Sequence, residues 1–170
     1  ITPFVRATYD CPSCTPCFSL VRRYRDLERS SHQMHFDVQA YATVVISLSR
    51  HGTDYHGGVY VGVGGGRDER FVLPLSVGDA LAHQSSLLHG VELREGSERW
   101  SWVLWYKDHE QCVERGHEWS RAAAEAGNDP VASFLHAQRV HLAPGTSRDE
   151  ARRQRAVWLR RSAESGFGRA

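Results

Sequence analysis

Between about residues 18 and 106 the chain is written in short runs rich in β-branched and aromatic residues, each closed by turn formers. This rhythm limits it to folds built from stacked or closed antiparallel sheets. The runs are SLVRRY (19–24), MHFDVQAYATVVISLS (34–49), GGVYVGV (57–63), RFVLPLS (70–76), DALAHQ (79–84), LLHGVEL (87–93) and RWSWVLWY (99–106). Between them stand Gly57-Gly58, Gly64-Gly65-Gly66, Gly78-Asp79 and Glu95-Gly96, where the backbone can take positive φ and reverse. Seven or eight strands of this kind fit a two-sheet jelly roll. The predicted fold class is mainly β, a double-stranded β-helix, over residues 1–107.

After Lys107 the character becomes helical, with Ala-, Glu- and Arg-rich stretches near 109–126, 130–142 and 147–165, broken by GNDP and APGTS. Residues 108–170 are therefore expected to form a C-terminal α-helical extension. Ser147 is a candidate N-cap, with Glu150 placed to complete a capping box. AEAG (124–127) recurs as AESG (163–166), a spacing of 39 typical of stacked helical hairpins. With Ala151, Trp158, Leu159 and Ala163, residues 122–170 resemble SEL-type, tetratricopeptide-like repeats; a plain helical cap is the alternative.

The longest apolar runs, such as ATVVISLS (42–49), are far shorter than the roughly 20 residues of a membrane-spanning helix. Net charge is +1, and the basic residues, a single lysine among 21, are scattered rather than gathered into a stripe. Neither a nucleic-acid partner nor a membrane is expected. The densest arginines, Arg148, Arg152, Arg153, Arg155, Arg160 and Arg161, are interrupted by Asp149 and Glu150 and read as a solvated helix face, with partner binding through the tail as the alternative.

CPSCTPC carries Cys11, Cys14 and Cys17, with Cys112 far away. Disulfides or free thiols are favoured over a structural zinc site, because a second C-x2-C pair is missing and Pro12 and Pro16 suit a turn-rich loop.

Chemistry is best sought in His35-Phe36-Asp37 and His89. On a strand, residues i and i+2 share a face, so His35 and Asp37 could reach one ion, and a jelly roll can bring His89 opposite them. Two histidines and one carboxylate leave coordination positions open, as in non-haem Fe(II) oxygenases. Arg99, ten residues after His89, supplies a permanent cation that needs an anionic partner if it faces the barrel interior.

With these residues in hand, the segment 33–106 resembles the Fe(II)- and 2-oxoglutarate-dependent dioxygenases, and within them the prolyl 4-hydroxylase-like branch. The matching elements are His35-x-Asp37, Thr43-Val44-Val45, Gly57-Gly58, Pro74 to Gly78-Asp79, His89-Gly90, Arg99 and Trp105. The resemblance implies that His35, Asp37 and His89 hold iron, that Arg99 grips the distal carboxylate of 2-oxoglutarate, and that Trp105 lines the pocket with Tyr24. It implies Fe(II), 2-oxoglutarate and O2, admits ascorbate, and points to hydroxylation of a C–H bond in a protein or peptide, such as a prolyl residue, with release of succinate and CO2. Departures are the extra residue between Pro74 and Gly78, Tyr60 where threonine is usual, and a longer segment between Tyr24 and His35. Only 34 residues precede His35, too few for the helical support such enzymes normally carry.

Other histidines compete. His51, Asp54 and His56 could form a triad, but their Gly-rich surroundings suggest a polar loop beside the active-site mouth. His83 reads as a hydrogen-bonded core or supporting residue, His32 as a surface residue in preference to one facing the cosubstrate, and Trp100 and Trp102 as core or sheet-face residues. The rival functions are a non-catalytic binding adaptor and a cupin-like metal enzyme that does not use 2-oxoglutarate.

Overall fold

The computed structural model describes residues 1–62, 70–112, 118–127, 129–140 and 145–167. The chain divides into two compact units, Ile1–Val113 and Glu114–Ala170. The Gly64-Gly65-Gly66 turn and part of the APGTS break lie outside the described residues.

The first unit opens with helix α1 (Thr2–Thr8), followed by strands β1 (Thr15–Arg25), β2 (Ser31–His35), β3 (Ala42–Ser47), β4 (Gly57–Gly62), β5 (Arg70–Leu73), β6 (Ala80–Gln84), β7 (His89–Leu93) and β8 (Glu98–Lys107). They form two four-stranded antiparallel sheets, ordered β1-β8-β3-β6 and β2-β7-β4-β5. The chain passes back and forth between the sheets, which is the winding of a double-stranded β-helix. The expected jelly roll is thus the observed fold.

Alternation along the strands divides the side chains between two cores. Tyr24, Val45, Tyr55, Val59, Val91 and Leu93 pack between the sheets. On the opposite face of the first sheet, Ala42, Val44, Leu104 and Tyr106 are covered by Val5 of α1 and by Cys11 and Cys14. Arg6 Nε donates to the carbonyl of Cys14 at 2.9 Å, tying helix to loop. Trp100 and Trp102 point outward from β8 and are exposed, so of the two expectations the sheet-face one applies.

All four cysteines are paired, Cys11 with Cys14 and Cys17 with Cys112, which rules out the zinc reading of CPSCTPC. The second bridge ties β1 to the segment after β8. Residues 109–112 form a turn rather than the start of a helix: Cys112 N–H donates to the carbonyl of His109, and Cys112 has φ of 54°.

The long run 34–49 is not one strand. β2 ends at His35 and β3 begins at Ala42, with a turn between them in which Ala40 N–H donates to the carbonyl of Asp37. At Gly78, φ is +91°, and the turn is closed by Asp79, whose carboxylate accepts from Ser76 N–H at 2.8 Å.

In the second unit, α2 (Glu118–Ala126), α3 (Pro130–Ala137) and α4 (Arg148–Glu164) are helices, with α3 packed on both others. Asp129 caps α3 by accepting from Val131 and Ala132. Ser147 caps α4 as expected, accepting from Glu150 N–H at 3.2 Å. Glu150 does not return the bond as a capping box would; its carboxylate is taken by Arg153 and Gln154. AEAG and AESG fall at the ends of α2 and α4, each closed by a glycine of positive φ, Gly127 and Gly166.

Candidate metal centre

β2 and β7 are neighbours, and their register sets His35 directly opposite His89. Gly90 follows, and its place permits no side chain: a Cβ there would collide with the Tyr60 hydroxyl and the His32 carbonyl. Asp37 lies beyond the end of β2, so the same-face geometry expected for a strand is not what brings it to His35.

Two side chains of a cross-strand row in the other sheet position the carboxylate instead. Thr43 on β3 is paired with Trp105 on β8 and with His83 on β6. Thr43 Oγ1 donates to Asp37 Oδ2 at 2.7 Å and Trp105 Nε1 donates to the same oxygen at 3.1 Å. His83, third in the row, places its buried Nε2 4.0 Å away, too far to bond, and among the described residues that atom has no hydrogen-bond partner. With Oδ2 held in this way, Oδ1 faces His35, whose Nε2 is 3.3 Å away.

One nitrogen or oxygen from each of His35, Asp37 and His89 comes together within 4.8 Å of the others, a spacing at which all three could bind one ion. The histidines are oriented for it. His35 Nδ1 bonds the carbonyl of Gln33 at 2.9 Å and His89 Nδ1 bonds that of Leu87 at 3.0 Å. A carbonyl only accepts, so each Nδ1 carries the proton and each Nε2 lone pair is left for the centre of the site.

Electrostatics are strongly polarised. Burial alone would raise the Asp37 carboxyl, but the His35 hydrogen bond, the charge of His89 and the Thr43 hydroxyl outweigh it and hold it well below the usual range. Burial, followed by His83, pushes His89 down to about 4, so it is neutral at ordinary pH. His35 is also disfavoured as a cation by burial, yet its bonds to Asp37 and Gln33 raise it overall.

The three residues line a cavity of about 70 Å³ together with Tyr24, Arg99 and Trp105, so all six residues expected in the site share one space. Arg99 is 1% exposed, and among the described residues its Nε and Nη2 have no hydrogen-bond partner. Nη1 alone is engaged, with Ser101 Oγ at 3.3 Å, and the guanidinium lies over the Tyr55 ring at 5.6 Å. Tyr24 stands directly opposite Arg99 across β1 and β8. A buried cation with two idle donors in one fork fits a carboxylate.

His32 is a correction. It is half-buried, lines the cavity, stacks on His35 with ring centroids 4.1 Å apart, and places Nδ1 3.5 Å from the Tyr24 hydroxyl. The bulge in β2 between His32 and His35 turns both rings to one side, which strict alternation could not reveal. His83 is the buried, hydrogen-bonded residue expected, with Nδ1 on the carbonyl of Gln84 at 2.9 Å.

His51 and His56 lie on a surface groove with Tyr60, Arg70, Glu92 and Arg94, and among the described residues this groove shares no lining residue with the cavity. Asp54 is occupied by Arg50 N–H at 2.7 Å.

No protein-family model matches this chain, and no curated protein matches it. Solved structures do. An oxidoreductase of the 2OG-Fe(II) oxygenase family from Burkholderia pseudomallei superposes with a TM-score of 0.51 at 22% identity, over 64% of this chain and 50% of that one. AviO1 from Streptomyces viridochromogenes Tue57 gives 0.50 at 20% identity, over 62% and 55%. The chain spans about half the length of these structures. The likeness is one of fold, a jelly roll of the kind found in 2OG-Fe(II) oxygenases, and it lends no support to a SEL-type repeat.

Proposed function

We propose that this chain is an Fe(II)- and 2-oxoglutarate-dependent oxygenase that hydroxylates a C–H bond, with a peptidyl residue such as proline as the acceptor. The observation that carries the reading is Arg99: a guanidinium 1% exposed, with two donors that have no partner among the described residues, in the same cavity as His35, Asp37 and His89. A binding adaptor gives such a cation no purpose, and a cupin-like metal site without 2-oxoglutarate leaves it without an anion.

His35, Asp37 and His89 would hold the iron, whose donor set of two imidazoles and one carboxylate suits Fe(II) and leaves positions open. When bound, iron supplies the oxidation, in which one atom of O2 enters succinate and the other becomes the acceptor's hydroxyl while CO2 leaves. The chain's own residues do the rest. Arg99 receives the distal carboxylate of the cosubstrate, and Tyr24 and Trp105 bound its space. Thr43 and Trp105 fix Asp37 Oδ2 and with it the orientation of the carboxylate, and the backbone carbonyls of Gln33 and Leu87 fix the two imidazole tautomers. Apolar walls from Val45, Val59, Val91 and Val103 limit water. The helical unit is read as a surface for a protein partner.

The test is aerobic incubation of the full chain with Fe(II), 2-oxoglutarate and ascorbate, the ascorbate supplying the two electrons that an acceptor C–H bond would otherwise give. Succinate and CO2 in equal amounts are expected, and no succinate from metal-loaded protein would refute the reading.

A further inference from the structure

Arg99 is not the only guanidinium on the cavity wall. β1 turns Leu20, Arg22 and Tyr24 to the same space, and Arg22 is paired across the sheet with Ser101, the residue whose hydroxyl takes Arg99 Nη1. Two arginines on adjacent strands therefore line one small cavity. Asp37 is the one carboxylate among its lining residues, and it is already held by His35, Thr43 and Trp105.

The nearby acids do not serve Arg22. On the other face of β1, Arg23 is bound to Glu28 at 2.6 Å, and Arg25 shares Glu28 and Glu98 at 3.3 and 3.6 Å. Among the described residues no hydrogen bond or ion pair engages Arg22. A second cation stands close by: Arg29 lies over the Tyr24 ring at 5.8 Å, while His32 on the same wall is kept neutral by burial. A half-buried cation with no anionic partner and a second cation nearby is costly to keep unless an anion joins it.

We infer that Arg22 binds a carboxylate carried by the acceptor, so that the substrate is an acid at or next to the carbon that is hydroxylated. This rests on the oxygenase reading above. The acceptor rather than the cosubstrate is indicated because the two idle donors of Arg99 already suffice for both oxygens of one carboxylate. Arg22, by contrast, keeps partial access to solvent, from which an acceptor arrives. An acidic side chain and a free chain end offer the same two oxygens, and the two probe pairs below separate them.

The experiment uses the full chain loaded with Mn(II) and saturated with N-oxalylglycine, a 2-oxoglutarate isostere that occupies Arg99. Two probe pairs are titrated by calorimetry: N-acetyl-Pro-Asp-amide against N-acetyl-Pro-Asn-amide, and N-acetylproline against N-acetylprolinamide. In at least one pair the acid should bind about 10-fold or more tighter than the amide, the worth of one charge-assisted hydrogen bond. Which pair shows it separates side chain from chain end. Arg22→Gln should abolish the preference, Arg22→Lys should retain part of it, and neither should change Mn(II) or N-oxalylglycine affinity. Equal binding of acid and amide in both pairs, or a preference that survives Arg22→Gln, overturns the inference while leaving the oxygenase reading intact. Weakened N-oxalylglycine binding in Arg22→Gln also overturns it, by assigning Arg22 to the cosubstrate. Wild-type protein that binds neither Mn(II) nor N-oxalylglycine overturns both.

Discussion

Thr43 Oγ1 donates a buried 2.7 Å hydrogen bond to Asp37 Oδ2, and through it the sheet opposite the two histidines decides where the carboxylate points. Trp105 reinforces the same oxygen from the neighbouring strand. The site is therefore assembled from both sheets.

Replacing Thr43 by valine keeps the shape and removes that donor. Mn(II) affinity should fall about 10- to 100-fold, as for other partners that orient a metal ligand, with the circular dichroism spectrum preserved. Calorimetric titration of the variant measures it, and unchanged affinity would show that Asp37 is placed without Thr43.

Acid should weaken the metal-free fold through His89. Its folded pKa is pushed down to about 4 by burial and then by His83, so between about 6.5 and that value the unfolded chain holds a proton the folded chain lacks. This one group costs on the order of 3 kcal/mol of stability as pH falls across the window. His35 acts in the opposite sense: its raised pKa gives a contribution that is full below about 6.5 and is lost as pH rises through the folded value. Asp37, depressed, contributes above about 4 and loses that contribution as pH falls further. In melting curves recorded from pH 7 to 4, His89→Gln should lose stability less steeply than wild type; parallel curves would contradict the burial cost assigned to His89.

The two disulfides should differ in worth. Cys17–Cys112 closes a separation of 95 residues and Cys11–Cys14 one of 3. On chain-entropy grounds, losing the first should cost about 4–5 kcal/mol and losing the second about 1–2 kcal/mol. Urea unfolding of the paired serine variants tests the order, and neither pair of substitutions should alter metal affinity.

Much of this architecture is legible in the sequence because it is local. Strand composition and glycine turns mark the barrel, and His35, Asp37, His89 and Arg99 announce themselves by chemistry and spacing. What the sequence hides is tertiary. Asp37 leaves the strand after His35, and its orientation comes from Thr43 and Trp105, whose part in holding it no spacing rule records. The bulge that turns His32 inward breaks the period-2 pattern from which exposure is read. The Cys17–Cys112 pairing joins residues 95 apart in sequence that the pairing of β1 with β8 brings together, and α1, at seven residues, is too short to show a helical period. For 122–170 the recurrence of AEAG marks two like helix ends, which is less than a repeat fold.

The most direct measurement is the anaerobic titration of Fe(II)-loaded protein with 2-oxoglutarate, followed by the weak visible charge-transfer band of the bidentate chelate, for wild type and Arg99→Ala. The band should appear and saturate in wild type. In Arg99→Ala the dissociation constant for 2-oxoglutarate should rise about 10- to 150-fold, the loss of roughly 1.5–3 kcal/mol from a charge-assisted hydrogen bond, with Fe(II) affinity unchanged. Absence of the band in wild type, or the same constant in both proteins, would contradict a cosubstrate site at Arg99 and leave a metal-binding jelly roll that does not use 2-oxoglutarate.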